Sequence, residues 1–453
     1  MKTKKQATRL IALLLVLAAA FAAGCNGGTS PAAPPGAPAP DTASPASPTN
    51  SGNNTPSNSG NNTPADTTPD GPDYESMTLE ELYELTLLEE GTITIYSTTA
   101  NAYTIVKRIE ADYPDLKGKF VYIECDTNNI QDRIVMEYES GNINADVMQV
   151  KDNSGEIFYE LVDYGYVEIY QPKSVTPHID PALLKYGMPL YASFNPWYYS
   201  TGMYPDGCPL TSWWDIVEGY NTDTKSYTDS SGKNTQFWTI FTKDITSPSY
   251  AALWAQLIVD GDAMAVQYEK QFGHPLEYTY HDKLANTPGI MDFPENNGGV
   301  ELFWRFSQMK TTELDDGDAV VNAVDSSLSG PTLGLASAGK RDNINSGAKI
   351  DWVTGLQPYT AFMTCDYLYI VDGSDNPAGS RFFILYSLGG EDGHGGGLDT
   401  FSNRGTYWSI RDDYEFTSPH TLDAVNLKGP DFDEIYYTFP NVKAYWLYWR
   451  SLL

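Results

Sequence analysis

The sequence predicts an α/β protein built on a parallel sheet, and three observations within residues 90–150 predict it. Glu90-Gly91-Thr92-Ile93-Thr94-Ile95-Tyr96 is a short, alternating, β-branched run of strand type. A polar turn, Ser97 to Asn101, leads into Ala102 to Ile109, where Ile105, Ile109 and Asp112 keep helical spacing until Pro114 ends the element. A second strand over 119–123, a second helix over 129–139 and a third strand over 145–150 complete the unit. Strands joined through helices in so short a span run parallel, with the helices on the sheet faces. Ligands of such sheets sit beyond the carboxyl ends of the strands, so Ser97-Thr98-Thr99 and Lys151-Asp152-Asn153 face the expected site.

The chain of 453 residues has room for two or three domains. It opens with Lys2, Lys4, Lys5 and Arg9, followed by an apolar stretch, Leu10 to Phe21, too short to span a bilayer. The run Ala22-Ala23-Gly24-Cys25 then resembles the end of a bacterial lipoprotein signal peptide, with Ala22 where Leu is commoner. The resemblance implies that residues 1–24 are removed and Cys25 is lipidated, anchoring the chain on the extracytoplasmic face of the cell membrane. A plain secretory signal with an incidental Cys is the alternative.

The formal net charge is −31, from 59 acidic and 28 basic residues, and loss of the leader removes four of the positive charges. Such a balance argues against nucleic acid and against charge-driven attachment to anionic surfaces. Cys125, Cys208 and Cys365 are an odd set without C-x-x-C spacing, leaving open one bridge with a spare thiol or three reduced side chains. Residues 25–73 are Pro, Ala, Ser, Thr, Gly and Asn almost throughout, and Asn50-Ser51-Gly52-Asn53-Asn54-Thr55-Pro56 recurs from Asn58 to Pro64. A stretch with so little apolar surface is predicted to be a disordered tether, spanning on the order of 35–40 Å.

Order is predicted to begin at the capping box Thr78-Leu79-Glu80-Glu81. Further landmarks lie beyond the parallel unit. Ala145-Asp146-Val147 marks its third strand, and Pro189 to Tyr199 carries Asn195 and the aromatics Trp197, Tyr198 and Tyr199. Pro209…Ser212-Trp213-Trp214-Asp215, the run Asp372 to Ala378 with its following helix, and Gly405 to Asp413 complete the set. In this order the pieces resemble bacterial extracellular solute-binding proteins of ABC importers, with the type 2 periplasmic-binding fold, near the ferric, polyamine and phosphonate binders.

That resemblance implies two α/β lobes joined by two crossing hinge strands, a Venus-flytrap arrangement. Lobe one would hold residues 78–190 and 356–453, the C-terminal helices partly bridging, and lobe two 195–350. The crossings would fall at Pro189 to Asn195 and Ile350 to Pro358. The implied partners are a small solute and the permease subunits of an importer; the implied activity is capture by hinge closure, without catalysis or cofactor.

Candidate ligand contacts follow from strand ends, helix starts and the crossing. Ser97, Thr98 and Thr99 offer hydroxyls and backbone N–H groups, although a polar turn capping the next helix needs no ligand. Asp152 offers a carboxylate beside the third strand. Asn195, Trp197, Tyr198 and Tyr199 stand where the lobes meet, able to stack on a solute or to pack under the hinge. Ser247 and Ser249 look like a helix start, and Asp325 and Ser326 follow the strand-like run Ala319 to Val324. The ferric branch carries a Tyr-Tyr pair beyond a strand of that second kind, where this chain has Asp325-Ser326. The iron site is therefore not carried over, although ferric ion stays an alternative ligand.

Two other functions compete. An exported glycoside hydrolase needs two carboxylates flanking a cleft, and with 59 acids sequence pairs such as Glu137 and Glu139 arise by chance. No G-x-S-x-G elbow or H-E-x-x-H motif is present, and the Gly-rich loop around His394 reads as a surface turn. A ligand sensor would use the same fold without transport.

Overall fold

The structure, a computed structural model, describes residues 72–125, 127–281, 295–327, 330–393 and 395–453. The signal segment, Cys25, the tether through residue 71 and His394 lie outside these residues. Among the described residues no helix is long and apolar enough to cross a membrane.

Thr78 caps α1 (Leu79–Leu88) through a reciprocal capping box with Glu81. The predicted unit then follows in order: β1 (Ile93–Ser97), α2 (Asn101–Asp112), β2 (Phe120–Glu124), α3 (Thr127–Ser140) and β3 (Val147–Lys151). β1 pairs in parallel with both β2 and β3. The chain continues through β4 (Val167–Glu168) to β5 (Met188–Ser193), then β6 (Trp197–Ser200) and β7 (Thr239–Thr242). Next come α4 (Pro248–Val259), α5 (Gly261–Phe272), α6 (Gly298–Ser307), β8 (Thr311–Glu313), α7 (Gly317–Ser326), β9 (Thr332–Leu335) and β10 (Ile350–Trp352). The last part holds β11 (Ala361–Phe362), β12 (Thr364–Val371), α8 (Pro377–Ser387), β13 (Leu427–Lys428) and α9 (Phe432–Arg450).

Two sheets organise these elements. The first has the order β2-β1-β3-β12-β4, with β5 also on β12. The second has the order β10-β6-β9-β7-β8, in which β7 runs parallel to β8 and β9. The chain passes between them twice, from β5 to β6 through Phe194 to Pro196 and from β10 back to β12. These are the two crossings of a two-lobed periplasmic-binding fold. β12 is antiparallel to β3 and buried at all eight positions, making the first sheet mixed.

One sequence expectation changes. Ala319 to Val324 is helical, part of α7, because the Asp316 side chain caps the Ala319 N–H at 2.8 Å and Val320, Val321 and Val324 share one buried face. β-branched content alone suggested a strand. The C-terminal helix α9 starts against the first sheet's layer, where Asp433 accepts from Tyr159 and Lys185. It ends on the second, with Trp446 stacked 5.8 Å from Phe303 and Arg450 donating to the carbonyls of Ser307 and Met309. α9 is thus a third link between the layers. Among the described residues Cys125, Cys208 and Cys365 form no disulfide, and burial pushes the Cys208 thiol up to about 11 and the Cys365 thiol up to about 12.

One glycine is required by a close approach at the α9 start. Gly155 has φ +81°, and a Cβ there would stand 2.9 Å from Cβ of Phe432.

Candidate ligand-binding cleft

A cavity of about 590 Å³ opens between the two sheets, at the carboxyl ends of parallel strands from both. From the first sheet, β1 delivers Thr98 and Thr99, α2 begins at Asn101, and β3 delivers Lys151 and Asn153. β5 adds Tyr191 and Ser193, β12 adds Asp366, and Asn195 sits in the crossing itself. From the second sheet, β7 is followed by Lys243 and the α4 start at Ser247 to Tyr250. β8 leads to Gly317 at the first turn of α7, and β9 leads to Ser337, Gly339 and Lys340. Tyr407 comes from the C-terminal part. The geometry is what two face-to-face α/β sheets produce: loops after strands bring N–H groups, hydroxyls and amides to one gap.

Hydrogen bonds fix the floor of this gap. Arg404 Nη1 donates to Asn101 Oδ1 at 3.0 Å, and Asn101 Nδ2 donates to the Tyr191 hydroxyl at 2.7 Å. The Tyr191 hydroxyl donates to Asp366 Oδ2 at 2.5 Å, which also accepts from Gln149 Nε2 at 3.3 Å. Burial, then the Asp366 charge, raises the Tyr191 pKa well above its ordinary value, so the phenol keeps its proton. Burial does the same for Tyr250. The Lys340 stem lies over Gly317, where a Cβ would meet its Cε at 3.0 Å, and its ammonium pairs with Asp318 at 2.6 Å. A contact also spans the cleft: Asn153 Nδ2 donates to Ser249 Oγ at 2.9 Å.

Of the residues the sequence nominated, Thr98, Thr99, Asn195, Ser247 and Ser249 line the cleft. Seven lie elsewhere. Ser97 is fully buried, its hydroxyl closing a local turn with the N–H and carbonyl of Thr99. Asp152 is buried too, its carboxylate accepting from the N–H groups of Ser154, Gly155, Ile157 and Phe158. Trp197 is core, set edge-on to Trp213 and Phe306 at ring distances of 6.3 and 6.0 Å. Tyr198 is buried and its hydroxyl donates to the carbonyls of Ser337 and Ala338, both at 2.9 Å. Tyr199 is buried as well, because β6 is covered on both faces. Asp325 and Ser326 end α7, about 12–13 Å along its axis from Gly317. There Asp325 accepts from the Lys349 N–H and Ser326 from no ligand-facing group, its hydroxyl donating to Asn322.

Sequence reasoning placed the Lys151-Asp152-Asn153 loop at the site without nominating Lys151, and it missed Lys243, Lys340, Tyr191, Ser193 and Asp366. A usable signal existed for Lys243: it directly follows Thr239-Ile240-Phe241-Thr242, a strand-type run to which the strand-end rule applies.

Two sheets, a double crossing and a polar gap between them define the class: the fold is that of the two-lobed periplasmic binding proteins. Solved structures of that class resemble it over most of their length. The apo ferric ion-binding protein A of Pasteurella haemolytica matches with TM-score 0.54 and 11% identity, over 78% of this chain and 96% of its own. Iron-bound HitA of Pseudomonas aeruginosa matches with TM-score 0.54 and 10% identity, over 79% and 99%. The substrate binding protein of an ABC transporter from Agrobacterium tumefaciens matches with TM-score 0.52 and 13% identity, over 79% and 94%. At these identities the likeness is one of fold. No family model and no curated protein matches the sequence.

Proposed function

We propose that this chain is an extracytoplasmic solute receptor, held to the cell membrane by lipid at Cys25, that passes its ligand to the permease of an ABC importer. In this reading residues 78–190 with most of 356–453 form one lobe and 195–350 the other. They close on a small polar solute held by Thr98, Thr99, Asn195, Ser247 and Ser249. The observation that carries the reading is the convergence of strand ends from both sheets on a single polar cleft beside the double crossing. A scaffold has no need of such a gap. The likeness to binding proteins over nearly their whole length supports the same reading.

The hydrolase alternative is weaker on chemical grounds. Glycoside hydrolysis needs two carboxylates across the cleft, one acting as acid. Among the described lining residues there is one, Asp366, and it is tied to Tyr191 and Gln149. The test is a thermal-shift screen of sugars, amines, phosphonates, carboxylates and ferric salts, followed by product analysis of each hit. A compound that raises the melting temperature and is recovered intact supports a receptor. Turnover of the compound overturns it.

A further inference from the structure

The cleft carries a charge opposite to that of the chain. Its described charged lining is Lys151, Lys243 and Lys340 against Asp366 alone, on a protein with 59 acidic and 28 basic residues. Lys151 stands on the first sheet's wall, Lys243 and Lys340 on the second's. Among the described residues Lys151 and Lys243 enter no ion pair. All three side chains are half-buried. On so acidic a chain a counter-carboxylate is easily supplied, yet the cleft withholds one. Asp366 is engaged by Tyr191 and Gln149, leaving the ammonium groups of Lys151 and Lys243 unanswered.

Two further features face the same gap. The α4 start has no side-chain cap at Ser247; Pro248 carries no N–H and Tyr250 N–H returns to the Ser247 carbonyl at 3.1 Å, so the Ser249 N–H and the positive end of the helix dipole are what this start offers the cavity. Asn153 is 4% exposed and lines the cavity; its Nδ2 serves Ser249, while its Oδ1 has no partner. A buried carbonyl oxygen of this kind calls for a donor.

We propose that the cleft binds a small organic oxyanion, a phosphate ester, phosphonate or polycarboxylate, that also carries a hydroxyl or amino donor. The inference rests on the receptor reading. The oxyanion bridges Lys151 on one wall and Lys243 and Lys340 on the other, with the Ser249 N–H at the α4 start, and the donor meets Asn153 Oδ1. Lysines act here as point charges for a compact anion. Because like charges face each other across the empty gap, an anion between them removes a repulsion that opposes closure. A ferric ion or a polyamine adds positive charge to a positive lining.

The test is calorimetric titration of the full chain with glycerol phosphate, 2-hydroxyethylphosphonate and malate, against glucose, putrescine and ferric chloride. At least one of the three anions binds, and more weakly as salt is raised. Lys151→Ala and Lys243→Ala each weaken that anion about tenfold or more, Lys243→Arg weakens it less, and Asn153→Asp abolishes binding; circular dichroism of each variant controls for folding. Which anion wins separates phosphoryl, phosphonyl and carboxylate sources. Binding of glucose, putrescine or ferric ion with the anions inert overturns the inference and leaves the receptor reading standing. Anion binding indifferent to both lysine-to-alanine changes overturns the inference as well. Silence from all six compounds overturns the inference and leaves the receptor reading to the wider screen.

Discussion

Asn153, in the loop after β3, donates through Nδ2 to Ser249 Oγ at 2.9 Å, joining the first sheet to the first turn of α4 in the second. Asn195 in the crossing donates to the Ser249 carbonyl at 3.3 Å, so Ser249 gathers one contact from the opposite wall and one from the hinge. A serine hydroxyl and an amide so placed form a latch whose formation depends on the lobes being near each other. Its strength is that of a single neutral hydrogen bond, about 1 kcal/mol.

Ser249→Ala therefore opens the resting equilibrium by about fivefold, since about 1 kcal/mol corresponds to that ratio. The measurement is hydrogen exchange of the peptides covering 98–104 and 247–254 in the ligand-free protein. Faster exchange in both segments is expected. No change in either removes the latch.

Trp197→Ala destabilises the fold by about 3–5 kcal/mol, because it vacates a site enclosed by Trp213 and Phe306. Trp197→Phe and Asp325→Ala leave ligand affinity within about twofold of the parent, as neither residue reaches the cleft. Chemical denaturation gives the first result and titration with the best ligand the second. A large affinity loss in Asp325→Ala with an intact melting curve would put α7's far end in the site after all.

The pair Glu301–Arg305 is a second stability test. Glu301 is fully buried and accepts from the Thr279 N–H and hydroxyl as well as from Arg305 at 2.7 Å, while Arg305 lies over Trp214, Tyr220 and Tyr268. Removing one partner strands the other charge in the core. Glu301→Leu accordingly costs about 3–5 kcal/mol, and the double change with Arg305→Met recovers part of it. Denaturant midpoints across the four-member cycle check both statements.

Asp152 makes stability depend on pH in an unusual direction. Burial first, then the Glu156 charge, pushes its pKa from 3.8 up to about 7, against the pull of the N–H groups of Gly155, Ser154 and Phe158. The folded state then binds the proton more tightly than the unfolded one. Its contribution to stability is full below about pH 4 and is lost as pH rises through about 7. Asp152→Asn is less stable at acid pH, having lost an acceptor oxygen, and its stability falls less between pH 4 and 7 than the parent's. Parallel curves for the two proteins over that range would contradict the assignment.

Much of the first sheet was legible because its signals are local. Alternation in Ile93 to Tyr96, the Thr78–Glu81 capping box and the Pro114 stop each act within a few residues. Α-helix α7 was misread because Val-rich content and helical spacing conflict over so short a run, and the Asp316 cap decided it. The crossing aromatics looked like ligand contacts because sequence does not reveal that β6 is covered on both faces. The same limit hid Lys243 and Lys340. A Lys after a strand looks like any solvated Lys until the sheet order brings two strand ends to one gap, and that order is set by long-range pairing. The Lys151-Asp152-Asn153 loop illustrates both halves: its position was readable, whereas which of its side chains turns inward depends on Asp152 capping the turn behind it.

The most direct measurement of the whole account is hydrogen exchange of the full chain with and without its best-binding compound. Capture between two lobes predicts simultaneous protection of segments from both sheets, residues 98–102 and 151–155 on one side and 243–251 and 337–341 on the other. Protection confined to one sheet, or placed away from the strand ends, would contradict it.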